Sequence, residues 1–79
     1  MPLPNKYRED KIDEMVLVLM YLCLDRDDRT WKGFDWASLN RLHEKDLISN
    51  PVSKAKSVVL TEAGKKMSEQ LFKKYFVVD

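Results

Sequence analysis

Residues 39–64 read LNRLHEKDLISNPVSKAKSVVLTEAG, and the changes of period inside this stretch decide the fold. Trp36, Leu39 and Leu42 fall at helical spacing, which predicts a helix over about 36–45 with these three turned inward. Leu47-Ile48 and Ser57-Val58-Val59-Leu60 are short β-prone runs on either side of Pro51. They predict strands at about 47–49 and 57–60, joined as a hairpin whose tip carries Lys54 and Lys56. Thr61 offers a hydroxyl as N-cap for a further helix over about 62–75, with Ala63, Met67 and Leu71 along one stripe. Gly64 falls in its first turn, where the missing Cβ lets another backbone come close.

Upstream, Trp31-Lys32-Gly33-Phe34-Asp35-Trp36 reads as a turn in which Asp35 caps the following helix, with Phe34 and Leu39 spaced as a hydrophobic staple. Large aromatics flanking such a turn are expected to bury their rings against neighbouring helices. A first helix over about 10–24 starts at Asp10 as N-cap, with Ile12, Met15, Val16, Leu19, Met20 and Cys23 on its inward face. Its last two turns are apolar nearly all round, since Leu17, Val18, Tyr21 and Leu24 occupy the remaining faces. So few elements hardly surround one helix, and Leu17, Tyr21 and Leu24 are the expected contacts of a homodimer unless Leu3 and Tyr7 fold back over them. The fold class is therefore mainly α with a small β-hairpin, an α+β domain over 10–79 preceded by a flexible arm at 1–9.

The chain's 79 residues hold one domain, and a chain of this size buries only about 60–65% of its unfolded surface, so association would add to a thin stability margin. A hydrophobic share of 44% beside 34% charged residues excludes disorder. A single cysteine, Cys23, forbids an internal disulfide and favours the cytoplasm; it is expected as a small buried hydrophobe. The longest apolar run, Met15 to Leu24, falls well short of the roughly 20 residues of a membrane span, and no export signal is expected at Met1 to Asp10. Residues 1–40 carry six Lys/Arg against eight Asp/Glu, or −2, and residues 41–79 eight against five, or +3, so the second half better suits an anionic partner.

With WKGFDW at 31–36 and LNRLHEKDLI through KAKSVVLTEAG at 39–64, the chain closely resembles a family of small uncharacterised bacterial proteins, over roughly Asp10 to Phe76. That resemblance implies a bacterial source and carries no activity with it. The order of elements also resembles winged-helix DNA-binding domains of the MarR and PadR type, which implies a winged-helix-like fold. By that resemblance Ser38 to Lys45 matches the recognition helix and Ser53 to Lys56 the wing tip. Ser38, Arg41, Lys45, Lys54 and Lys56 are then the expected nucleic-acid contacts. Two departures stand out. Ten residues between the first two helices hardly hold the extra helix of a complete helix-turn-helix, and Asp46 replaces the usual glycine at a helix C-terminus, where Asp tolerates a left-handed backbone better than most residues.

No enzyme chemistry is expected. His43-Glu44 lacks a second histidine, and one Cys with one His makes no standard zinc site. The Asp25, Asp27, Asp28 cluster lacks the central glycine and twelfth-position glutamate of a calcium loop, whose places hold Thr30 and Trp36. No catalytic residue, metal or cofactor is therefore expected. The function expected first is a non-enzymatic module binding duplex DNA, and the alternative is a protein-interaction or dimerisation adaptor on the same scaffold.

Overall fold

The computed structural model describes residues 6–78. Along them run α1 (Glu9–Leu22), β1 (Arg29–Trp31), α2 (Trp36–Glu44), β2 (Ser57–Val59) and α3 (Glu62–Phe76). This is an α+β fold of three helices and a two-stranded antiparallel sheet, consistent with a winged-helix-like order. Of the arm expected at 1–9, residues 1–5, Leu3 among them, lie outside the described residues, and Glu9 already belongs to α1.

α1 starts one residue early and stops two residues short of the expected Leu24. Its N-cap is Arg8 without a side-chain cap, not Asp10. Asp10 instead sits in the first turn, where a hydrogen bond from the Arg8 guanidinium holds its carboxyl down at about 2. At the other end Thr30 Oγ donates to the Met20 carbonyl at 2.7 Å, and the Asp25 carboxylate collects the Asp27 and Arg29 N–H groups. These bonds turn the chain, and Asp28 completes the reversal with φ of 61°.

The expected hairpin is corrected in its pairing. β2 pairs with β1, Thr30 opposite Val58, and the 47–49 run keeps one bridge, Ile48 to Leu60, plus the Ser49 N–H on the Val59 carbonyl at 2.9 Å. Pro51 is buried just beyond and has no N–H to extend that ladder. β2 thus lies between β1 and the Ile48 bridge, and the link between the first two helices supplies a strand.

The core gathers Val16, Leu17 and Met20 of α1, Leu39 and Leu42 of α2, Leu47, Ile48, Val58 and Leu60, with Phe34 and Leu71 packed against it. Asp35 caps α2 by accepting from the Ser38 N–H at 3.1 Å, and Asp46 takes the left-handed conformation at φ 59° where α2 ends. Thr61 does three jobs at the start of α3. Its Oγ accepts from the Gly64 N–H at 2.9 Å and donates to the Asp46 carbonyl at 2.7 Å, while its N–H reaches the Leu47 carbonyl at 3.1 Å.

That knot brings the first turn of α3 onto the Leu47 backbone, so Gly64 and Ser68 are the buried positions and Leu71 and Phe72 follow them. The expected stripe of Ala63 and Met67 is exposed instead. A Cβ at Gly64 would stand 2.0 Å from the Leu47 carbonyl oxygen, a backbone atom that cannot swing aside. Gly64→Ala should therefore destabilise the protein by about 2 kcal/mol or more and lower the melting temperature by about 10 °C, read by thermal circular dichroism.

Candidate functional site

Arg41 closes a clasp between α1 and α2. Its Nε donates to Asp13 Oδ2 at 2.7 Å and its Nη2 to Asp13 Oδ1 at 2.8 Å, while Nη1 pairs with Glu9 and Nη2 also reaches Ser38 Oγ at 3.3 Å. The bond to Asp13 raises the guanidinium's pKa further above its ordinary value. Asp13 is buried, and its bidentate partner is what makes a carboxylate tolerable there.

The five residues expected to face nucleic acid divide accordingly. Arg41 has its forked face turned onto Asp13 and Glu9, not outward. Ser38 is fully buried, so it reaches no partner; the capping bonds to Asp35 turned it inward. Lys45 is exposed but borders a cleft shared with Asp10, Asp13 and Glu14, an acidic setting for a phosphate. Lys54 and Lys56 are exposed on the loop before β2, a loop that Lys32 braces from within through Nζ bonds to the Pro51 and Ser53 carbonyls.

The residues expected at a dimer contact also have neighbours within the chain. Leu17 is 1% exposed and part of the core, and Leu24 packs against that core. Tyr21 stacks on Phe72 with ring centroids 5.3 Å apart, and Phe72 in turn on Phe76 at 5.6 Å. The cause is α3, which packs over the side of α1 that had been left without a cover.

What α1 presents outward is a different stripe. Ile12, Leu19 and Leu22 are exposed and Met15 half-buried, at i, i+3, i+7 and i+10, with no charge among them. Beside it Val18, Leu19 and Leu22 of α1 face Phe72 and Phe76 of α3 across an open groove of about 160 Å³ with five apolar side chains for walls. Leu22 is 64% and Phe76 49% exposed. The spacing was present in the sequence, but a helix apolar on nearly every side gives no sign of which face its neighbours cover.

Other expectations shift as well. Trp31 and Trp36 are more than half exposed, and the Trp31 indole lies against Gly33, where an added Cβ would stand 2.0 Å from its Nε1; of that cluster, Phe34 packs against the core. Cys23 is exposed at the end of α1. His43 lies on the surface with Nδ1 3.1 Å from the Ile48 carbonyl. Among the described residues no three His, Cys, Asp or Glu side chains gather as a metal site, and no helix is long and apolar enough to cross a membrane.

Fold and surface together define a small α+β domain with an uncharged apolar groove between two packed helices. The chain belongs to the family described as a domain of unknown function, DUF6429, which matches residues 8–78. It is 54% identical over 68 residues to an uncharacterised protein of Sinorhizobium fredii, y4hR, a match covering 86% of this chain and 92% of that one. No solved structure matches.

Truncating the clasp should show its weight. Arg41→Ala leaves Asp13 buried without its bidentate partner and should cost about 2–3 kcal/mol in urea unfolding, whereas Asp13→Leu with Arg41→Leu should recover most of that loss.

Proposed function

We propose that this chain is a non-enzymatic protein-interaction module that works through the apolar face of α1 and α3. The observation that carries the reading is the uncharged groove between Val18, Leu19, Leu22, Phe72 and Phe76. Covering the exposed parts of Leu22 and Phe76 is worth about 2 kcal/mol each, at roughly 25 cal/mol per Å². The one histidine bonds a backbone carbonyl and the buried carboxylate of Asp13 is held by Arg41.

A photo-crosslinking amino acid at position 22, introduced in the producing cells, tests the reading directly. Protein adducts are expected from position 22 and only background from position 56, on the exposed loop before β2. Equal labelling from the two positions would sink the proposal.

Duplex DNA is the second reading, favoured by the exposed pair Lys54 and Lys56 on the loop that matches the wing tip in the resemblance to winged-helix domains. Two free lysines neutralise few phosphates, so anisotropy of a labelled mixed-sequence duplex should show a log–log salt slope no steeper than about −2 and weak binding at near-physiological salt. Micromolar binding under those conditions, abolished in Lys54→Ala with Lys56→Ala, would transfer the function to DNA.

A further inference from the structure

The inference rests on the reading of the α1–α3 face as an interaction surface and names its occupant. We infer that this face takes a second copy of the same chain, docked about a two-fold axis so that Leu22 of each copy enters the Val18–Phe72–Phe76 groove of the other.

Three features of the face favour a copy of itself. The first is shape. A two-fold interface must carry both the projection and the recess on one patch. Leu22 is the most exposed residue of the α1 stripe and stands as one wall of the groove, which at about 160 Å³ is of the size that holds a benzene-sized apolar group, about 150 Å³. The second is charge. A charged patch repels its own image, whereas the outward stripe from Ile12 to Leu22 has no ionisable group. The charges that flank Phe76 along α3, Glu69 and Lys73, are neutralised against each other at 3.2 Å.

The third is area. The exposed parts of Ile12, Leu19, Leu22 and Phe76, with the half-buried Met15 and Phe72, amount to roughly 450 Å² of surface, the middle of the range of about 300–600 Å² for the largest patch of a monomer. A homodimer interface uses about 800 Å² per partner and is about 65% apolar, so this face supplies most of the apolar part. A different protein would need only the recess; the two-fold arrangement uses recess and projection together.

Sedimentation equilibrium of the purified full chain, from about 1 to about 200 µM, reads the result, and the species expected is twice the 9.3 kDa chain. Leu22→Asp and Phe76→Asp should each weaken the dimer at least tenfold while leaving the circular dichroism spectrum of a folded chain, because both side chains already face water in the monomer. Lys56→Asp, on the loop before β2 and outside the groove lining, should leave the dissociation constant unchanged. A wild-type chain that stays monomeric throughout overturns the inference, and so does a dimer indifferent to both substitutions. The crosslinks from position 22 separate the two levels. An adduct at twice the chain mass supports the self-pairing. Adducts only of other masses overturn it while leaving the interaction reading intact. Their absence at that position overturns both.

Discussion

Everything that α3 does follows from how closely its first turn approaches the carbonyl of Leu47. The absence of a side chain at Gly64 permits the contact, and Thr61, bonded to Asp46, Leu47 and Gly64 at once, holds it. From that point the rotation of the helix is set. Gly64 and Ser68 turn inward, Phe72 comes over Tyr21, and Met67 is left facing water. The same placement decides which side of α1 is covered, and so which of its many apolar residues remain outside.

A second constraint pins the other end of α1. Asp13 is a carboxylate inside the protein, and a bidentate guanidinium from α2 is the geometry that suits it. Arg41 is therefore a structural residue on a helix whose sequence resembles a reading helix. Lys65 works the same way at the opposite end of the molecule, where its bonds to Asp28 and Glu62 raise its pKa and tie the start of α3 to the turn before β1. Two of the cations available to an anionic partner are thus committed to carboxylates of the same chain, and the basic excess of residues 41–79 overstates the positive surface on offer.

The helices were legible because their signals are local. Asp35 and Thr61 announce the starts of α2 and α3, and both carboxylate and hydroxyl make the capping bonds their positions implied. The left-handed Asp46 was legible for the same reason, as a tolerated residue at a helix end. β1 was not, because three residues following an Asp-rich turn carry too little periodicity, and only pairing with Val58 across 28 positions makes them a strand. The setting of the candidate site residues was hidden from the sequence for two different reasons. Arg41 carries the right chemistry, but neighbours distant in sequence, Asp13 and Glu9, turn it inward, while Ser38 is drawn in by its cap, Asp35. On α1, hydrophobicity all round left the choice of face to α3, whose own rotation depended on a glycine contact.

The sheet has a bearing on how such a molecule can grow. β1 and β2 are three residues each, β2 is flanked on both sides, and beyond the Ile48 bridge the chain meets Pro51, which has no amide hydrogen to offer. Neither margin presents a long row of open peptide groups, so recruitment of further chains by strand addition finds no template. The uncharged groove lies between helices, whose backbone is already satisfied from within, and contacts made there are limited by the shape of side chains. A protein arranged in this way can keep oily residues in contact with water and still form bodies of finite size, where the same exposure on an open sheet margin would propagate into fibres.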